Sequence, residues 1–294
     1  MRSLPFIIIT TLFISACQRT PVFDGEQAFT HLIKQCEIGP RYPGSDEIII
    51  CREYIKANLE KSNAKIITQK FSAEINDSKY ESENIIARFF PRQSRRIMLA
   101  AHYDTRPWAD KDSNIDNHNT PIIGANDAAS GVAVLLQIAT ILNKTQPSEF
   151  GVDLVFFDIE DMGSYGSNEN WCLGSKYFAE NIPIREPEKI ILIDMIGDKD
   201  LEILMEQHSY HDSPILVNQI WEIAAEKGYK QFKRKLGQLI YDDHVPLLSS
   251  GLNAIDIIDF DYKYWHTLED TPDKCSSESL QIVGQTLIEF IYQK

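Results

Sequence analysis

The chain has 294 residues, 43% of them hydrophobic and 24% charged, which is enough for one large core and predicts one folded domain. Its formal net charge of -14 argues against a nucleic-acid partner, because such a partner requires a basic face. The acidity otherwise indicates only a soluble surface.

The first 23 residues predict an export signal and a tether that precede the fold. A positively charged start is followed by the apolar run Leu4 to Ile14, which is short for a bilayer span. Ile14-Ser15-Ala16-Cys17 then resembles a bacterial lipobox, in which the cysteine becomes the lipidated first residue. We therefore expect a signal peptide over residues 1–16, a lipidated tether over 17–23, and a membrane-anchored lipoprotein on the periplasmic or cell-surface side. The alternative is an ordinary secretory signal in which Cys17 is incidental.

Export affects how the other cysteines are interpreted. Without Cys17 the chain keeps Cys36, Cys51, Cys172 and Cys275, an even number for an oxidising compartment. Their spacings match no zinc cluster. Four cysteines allow three disulfide pairings, and the sequence does not choose among them.

Two helices and three strands are predicted next along the chain. Residues 23–37 carry apolar side chains at helical spacing, and the proline-rich stretch 39–47 predicts a loop. Ser45 then begins a second helix that continues through Leu59. The three β-type runs are Lys65 to Phe71, Asn84 to Phe90 and Arg96 to His102, with a polar hairpin or loop over residues 72–82.

The strands in the middle of the chain are apolar at nearly every position, which predicts burial on both faces, as in a parallel α/β sheet. Val152 to Phe157 and Lys189 to Asp194 are such runs, and Leu201 to Met205 and Asn253 to Asp259 follow. The helices expected among them cover residues 124–143, 213–227 and 277–292, with short helices after Cys172 and after residue 243.

Potential metal ligands gather where these strands end, which is where ligands bind in such sheets. The strand ends carry His102 and Asp104, Glu160 and Asp161, and Asp194, while Asp127 opens a helix and His266 lies in a late loop. Each alone has an ordinary explanation, such as a capped strand or a helix N-cap at Asp127. Together, carboxylate and imidazole ligands without cysteine are typical of catalytic zinc with one open position.

Glu160 and Asp161 form a pair with its own chemistry. Adjacent buried acids repel each other unless a cation or a shared proton compensates them. Such a pair allows one acid to hold a metal while its neighbour transfers protons. The alternative is a solvated strand end before a helix.

These residues give the chain a family resemblance. It resembles the zinc exopeptidase superfamily, which includes the co-catalytic aminopeptidases, and within it most closely the glutaminyl cyclases. The resemblance covers residues 24–292 and implies a single three-layer α/β/α domain, here residues 24–294, with a mixed, mostly parallel central sheet. The superfamily motifs match His102-Tyr103-Asp104, Gly124-Ala125-Asn126-Asp127, Asp158-Ile159-Glu160-Asp161, Asp194 and His266. Cyclase-like features are the stretches 41–45, 242–246 and 265–267, and bacterial-type features are 102–110 and 171–175.

The resemblance implies a role for each matched residue. One zinc ion would be held by Asp127, Asp161 and His266, with Glu160 as the general acid/base. Asp194 and Asp242 would be its carboxylate partners. Trp265 would form a wall of the substrate pocket; Trp171 is a second candidate for the pocket, or a packed loop residue. Animal cyclases have glutamate at the position of Asp161, so the shorter aspartate must bring backbone and metal closer together.

The implied reaction converts the N-terminal glutamine of peptides or proteins to pyroglutamate and releases ammonia. The main alternative is a dizinc aminopeptidase, in which His102, Asp127 and Asp194 hold a second zinc ion. Asp104 would then act as a further ligand or orient His102. A third hypothesis is a catalytically inactive ectodomain that uses the same fold for binding.

Overall fold

The structure is a computed structural model and describes residues 19–293. Its strands are β1 (Lys65–Ile75), β2 (Ser78–Phe89), β3 (Arg96–His102), β4 (Gly151–Phe157), β5 (Lys189–Asp194), β6 (Ile203–Met205), β7 (Phe232–Leu236) and β8 (Ala254–Ile258). Its α-helices are α1 (Gly25–Ile38), α2 (Asp46–Lys61), α3 (Ala129–Lys144), α4 (Leu173–Glu180), α5 (Gln207–Asp212), α6 (Pro214–Glu226), α7 (His244–Ser249) and α8 (Ser277–Tyr292).

The central sheet has the strand order β1-β2-β4-β3-β5-β8. Strands β4, β3, β5 and β8 are parallel to one another, whereas β2 runs antiparallel to both β1 and β4. The four parallel strands therefore end at one edge of the sheet, where their following loops meet. The expected mixed, mostly parallel sheet is confirmed.

Both faces of the sheet are covered by helices. Alternate residues of β3 lie in two separate cores: Ile97 and Leu99 pack with α1, α3 and α8, while Met98 and Ala100 pack with α4 and α7. This alternation follows from the two-residue period of a strand. The result is the expected three-layer α/β/α arrangement.

Two strand predictions need correction. The hairpin alternative for residues 72–82 is confirmed, but both strands extend further into this stretch than predicted, because β1 and β2 pair residue by residue up to Ile75 and Ser78. Only Asn76 and Asp77 form the turn, both with positive φ as a tight hairpin requires. Strand β7 was not predicted, because its sequence FKRKL is mostly basic; it pairs with β6 in a separate two-stranded sheet.

The N-terminal predictions, including the lipidated Cys17, lie outside the described residues. Within residues 19–293, no helix is long and apolar enough to cross a membrane. The cysteines Cys36, Cys51, Cys172 and Cys275 are all free thiols, and three of them are buried.

Candidate metal centre and acid cluster

The fold brings three predicted ligands together at the carboxyl edge of the parallel strands. Asp127 precedes α3, Asp161 follows β4, and His266 lies in the loop after β8. One ligand atom from each of the three lies within 4.8 Å of the others, and all three residues are buried. These residues are separated by up to 139 positions in sequence, so only the sheet topology places them side by side.

The donor atoms of this group fit a metal ion. His266 Nδ1 lies 2.6 Å from the Tyr165 hydroxyl, while Nε2 lies 3.3 Å from Asp161 Oδ1 and 3.4 Å from Asp127 Oδ2. When Nδ1 donates to Tyr165, the Nε2 lone pair faces two carboxylates, an arrangement that a cation between them stabilises. Asp161 Oδ2 is buried and has no hydrogen-bond partner. Two carboxylates and one imidazole are a donor set suited to zinc with an open position.

Arg106 holds Asp161 in place and was not singled out from the sequence. Its guanidinium donates to Asp161 Oδ1 over 2.9 Å and to both oxygens of Asp110 over 2.8 and 2.6 Å. The rings of Trp108 and Trp171 lie on it at 5.0 and 4.9 Å. A buried guanidinium that stacks on aromatic rings and binds a carboxylate through two hydrogen bonds has little freedom to move, so it holds Asp161 rigidly.

Asp127 is positioned by backbone contacts and does not cap a helix. Helix α3 begins without a side-chain cap, so the N-cap alternative is wrong. Gly124 has a φ of +62°, and a Cβ there would lie 2.2 Å from the carbonyl oxygen of Asp127. The Arg41 guanidinium donates to the carbonyl of Gly124 over 2.8 Å, and Asp270 accepts from the backbone N–H of Asp127 over 3.2 Å.

A second group of possible ligands adjoins the first through Asp127. His102 Nε2 lies 3.1 Å from both Asp127 Oδ1 and Asp194 Oδ1, and the three ligand atoms lie within 4.8 Å of one another. Burial lowers the pKa of His102, but these carboxylates outweigh burial and the pKa is raised well above its usual value. The side chains that the aminopeptidase hypothesis requires for a second metal ion therefore lie close enough together to bind one.

Asp104 holds the backbone of Glu160 and Asp161 in place. Its two carboxylate oxygens accept hydrogen bonds from the backbone N–H groups of Glu160 (3.0 Å) and Asp161 (3.2 Å). It also lies 3.6 Å from His102 Nδ1. Asp104 thus contacts the backbone of the reactive acids and one face of His102.

Glu160 lies in a cluster of buried acids. Burial raises its pKa well above the usual value, and the nearby Asp161 and Asp242 carboxylates raise it further. Burial also raises the pKa of Asp194 to about 7. The Cys172 thiol donates to Glu160 Oε1 over 3.2 Å, a contact that no sequence signal predicted. Such grouped, shifted acids are typical of functional sites.

The loop that presents Glu160 has a strained backbone. Ile159 has a φ of +52°, unusual for a β-branched residue. It is held because the backbone N–H of Leu173 donates to the Ile159 carbonyl and that of Cys172 donates to the Glu160 carbonyl, both over 2.8 Å. This double pairing fixes Cys172 against Glu160.

Asp158 is a structural partner of the same loop. The carboxylate is buried and accepts hydrogen bonds from Arg52 over 2.5 Å, from Tyr103 over 2.6 Å and from Ser82. It therefore anchors the end of β4 to the helix α2 and does not face the metal ligands.

A cavity of about 210 Å³ opens above the acids. Both predicted pocket residues line it: Trp171 stacks on His266 with ring centres 6.2 Å apart, and Trp265 lies 4.0 Å from the same ring. The side chains that contribute to its wall include Asp127, Glu160, Tyr165, Trp171, Asp194, Leu239, Ile240, Tyr241, Asp242, Ile258, Phe260, Trp265 and His266. The cavity is an aromatic pocket with carboxylates at its base.

Asp242 lies in the cavity wall, two positions before the first residue of α7. One ligand atom each from Asp242, Glu160 and Cys172 lies within 4.8 Å of the others. Behind Asp242, His244 is buried and lies 3.0 Å from Glu206 and 3.7 Å from Asp256. His244 therefore supports the turn that carries Asp242.

The sequence profile of Peptidase family M28 matches residues 84–291. A glutaminyl cyclase from Bacteroides thetaiotaomicron, solved with N-acetylhistamine, is 37% identical with a TM-score of 0.91 and covers 94% of this chain and 100% of its own. A leucine aminopeptidase precursor from the same species is 38% identical with a TM-score of 0.91, over 94% and 99% of the two chains. Bovine glutaminyl-peptide cyclotransferase is 22% identical over 86% of this chain and 78% of its own.

Proposed function

The chain belongs to peptidase family M28, a zinc-dependent family, and we propose that it is a glutaminyl-peptide cyclotransferase with one zinc ion per chain. The observation that carries this proposal is the placement of Asp242 beside Glu160 at the base of a pocket walled by Trp265. The similarity to a solved bacterial glutaminyl cyclase over the whole described domain supports it.

The zinc ion would be held by Asp127, Asp161 and His266. When bound, it supplies a Lewis acid for the side-chain carbonyl of the substrate glutamine and charge compensation for the surrounding carboxylates. Arg106 fixes the orientation of Asp161 through the 2.9 Å hydrogen bond.

The residues of the pocket perform the remaining steps. Trp171 and Trp265 surround the substrate side chain and exclude water. Glu160 takes a proton from the α-amine as its nitrogen bonds to the side-chain amide carbon, and gives that proton to the amide nitrogen as the old C–N bond breaks. Ammonia leaves, a five-membered ring remains, and no water is consumed. Because both reacting groups belong to one residue, positioning supplies much of the rate.

The test uses two peptides that differ only in their first residue, glutamine or leucine, incubated with the zinc-loaded protein and followed by intact mass. We expect loss of one ammonia from the glutamine peptide and no change in the leucine peptide. Release of the first residue from either peptide would instead identify an aminopeptidase.

The dizinc aminopeptidase is the second candidate, and one observation favours it specifically. His102, Asp127 and Asp194 place three ligand atoms within 4.8 Å of one another, as a second metal requires. In that reaction Glu160 would take a proton from water, and the first peptide bond would be hydrolysed. Two tightly held zinc ions per chain would support this candidate, and one would oppose it.

We further propose that the protein is exported and lipidated at Cys17. The support is the lipobox-like sequence Ile14 to Cys17 after a short apolar run. A Cys17→Ser variant should leave the membrane fraction and become soluble in the exporting compartment. If it remained bound to membranes, lipidation at this position would be wrong.

A further inference from the structure

A basic segment interrupts an otherwise acidic chain. Residues 227–235, with the sequence KGYKQFKRK, contain five cationic side chains and no acidic one, in a protein of net charge -14. The segment joins the end of α6 to strand β7.

Most of this positive charge has no partner among the described residues. Lys227 pairs with Glu289 over 2.7 Å, and Lys233 lies 3.5 Å from Glu202. The exposed side chains of Lys230, Arg234 and Lys235 form no ion pair within residues 19–293. Their charge is therefore available to a ligand.

The basic segment leads directly to the mouth of the active-site cavity. After β7, the N–H of Gly237 donates to the carbonyl of Met205 over 2.7 Å, which holds the following residues against β6. The chain then continues through Leu239, Ile240 and Tyr241, all of which line the cavity. The charges and the cavity are thus connected by one short, fixed stretch.

The length of that stretch determines how far along a bound peptide the cations lie. Leu239 follows Lys235 by four positions, which corresponds to about 13 Å at roughly 3.3 Å per extended residue. An extended peptide with its first residue in the cavity therefore reaches Lys235 at about its fifth residue. Between the cavity and the cations, Leu236 and Leu239 are 50% and 63% exposed and offer an apolar surface.

We propose that the basic segment binds acidic side chains of the substrate, at about the fourth to eighth residues after its N-terminus, while Leu236 and Leu239 contact the apolar residues between. This proposal rests on the proposed cyclase function and adds a substrate class to it: polypeptides with an N-terminal glutamine and an acidic stretch shortly after it. Complementary charge of this kind raises the association rate and is weakened by salt.

An anionic membrane surface could also bind exposed cations. The structure favours the substrate, because two of the three unpaired cations, Arg234 and Lys235, lie on the strand that leads to the cavity mouth. The experiment described next distinguishes an acidic substrate from an anionic membrane.

The experiment compares three peptides of equal length that begin with Gln-Leu-Leu-Gly and end in four glutamates, four serines or four lysines. The zinc-loaded wild type is compared with the double variant Arg234→Glu/Lys235→Glu. The matched control is Lys65→Glu/Arg92→Glu, which makes the same charge change at exposed positions without ion pairs. Residues 65 and 92 lie near the paired ends Arg88 and Phe89 of β2, at the amino edge of the parallel strands and away from the cavity.

For the wild type and the control we expect kcat/KM at low salt to be about tenfold higher for the glutamate peptide than for the lysine peptide, as a few exposed charge pairs produce. The ratio should fall towards one as ionic strength rises. The Arg234/Lys235 variant should lose the preference and convert the serine peptide at the wild-type rate.

Equal kcat/KM for all three peptides in the wild type at low salt would overturn the proposal, as would an equal loss of preference in the control. Binding to vesicles of anionic lipid, absent in the Arg234/Lys235 variant and combined with no peptide preference, would assign the segment to a membrane instead. Product masses report separately on the reaction: ammonia loss supports the cyclase whatever the charge preference, and release of a residue contradicts it.

Discussion

At the scale of single residues, Glu160 depends on a contact that the sequence did not reveal. The Cys172 thiol lies 3.2 Å from Glu160 Oε1, and both residues are buried. A donor at this position holds the carboxylate in one orientation without adding a charge. The pKa of Cys172 is raised well above its usual value by burial and by the Glu160 carboxylate, so the group remains a neutral S–H donor.

We expect Cys172→Ala to lower kcat about tenfold with KM unchanged, because a hydrogen bond to a charged group contributes roughly 1.5 kcal/mol or more. Cys172→Ser, which keeps a donor, should recover most of the activity. Steady-state kinetics and thermal unfolding of both variants provide the measurement. Equal kcat values for the two variants would show that the thiol has no positioning role.

Glu160→Gln should reduce turnover by about 10²- to 10⁴-fold, the usual contribution of a general acid/base, while the variant still binds zinc. The amide is nearly the same size but cannot transfer the proton. Ammonia release and metal content are measured on the same preparation. Glu186→Gln, at an exposed position, is the control. Retained activity in Glu160→Gln would remove Glu160 from this role.

At the scale of elements, the small β6–β7 sheet is joined to the main sheet by a buried acid. Asp259, directly after β8, accepts a hydrogen bond from the backbone N–H of Glu202, just before β6, over 2.9 Å. Burial raises the pKa of Asp259 to about 7, and the nearby Asp198 adds to the rise while the hydrogen bond opposes it. This junction supports Ile258 and Phe260 in the cavity wall.

The raised pKa predicts a pH-dependent stability. A carboxyl group with a pKa near 7 in the fold and its ordinary pKa of 3.8 in the unfolded chain keeps its proton between these two pH values only when folded. Its contribution is complete below pH 3.8 and is lost as the pH rises through 7. The free energy of unfolding of Asp259→Asn, relative to that of the wild type, should therefore increase by about 1–3 kcal/mol between pH 5 and pH 8.

Urea unfolding of both proteins at the two pH values measures this difference. The other titrating groups are common to both proteins and cancel. Asp77→Asn, in the exposed β1–β2 turn, is the matched control for replacing an aspartate with asparagine. A constant difference between Asp259→Asn and the wild type across this range would contradict the assigned pKa.

At the scale of the whole molecule, the fold concentrates carboxylates at one edge of the sheet. Asp127, Glu160, Asp161, Asp194 and Asp242 are all buried there. Buried like charges oppose folding unless a cation or protons compensate them. Metal binding and stability should therefore be coupled.

Removing zinc with a chelator should lower the melting temperature by about 5–10 °C. A ligand at 100 times its Kd adds about 2.7 kcal/mol to the free energy of unfolding, and in a protein of this size that corresponds to such a shift. Adding zinc back should restore it. The Asp161→Asn variant should show a much smaller zinc-dependent shift. Identical melting curves for the wild type with and without zinc would contradict a zinc site at this edge.

The buried parallel strands were predictable from local pattern. The sequence predicted β3 and β5 with their observed bounds, because strands buried on both faces are apolar at nearly every position. The β1–β2 hairpin was predicted only in part, and β7 was not predicted. The reason is that strands exposed on one face carry polar or basic residues, which resemble the residues of a loop.

The sequence by itself determined the reactive groups: the acids and histidines at the strand ends, and the motifs that place the chain in its family. Only the tertiary structure decided which groups meet. Arg106, Tyr165 and Cys172 contact Asp161, His266 and Glu160 through loops whose paths depend on long-range pairing. The physical reason is that ligand type is a property of single side chains, whereas orientation and pKa depend on neighbours that are distant in sequence.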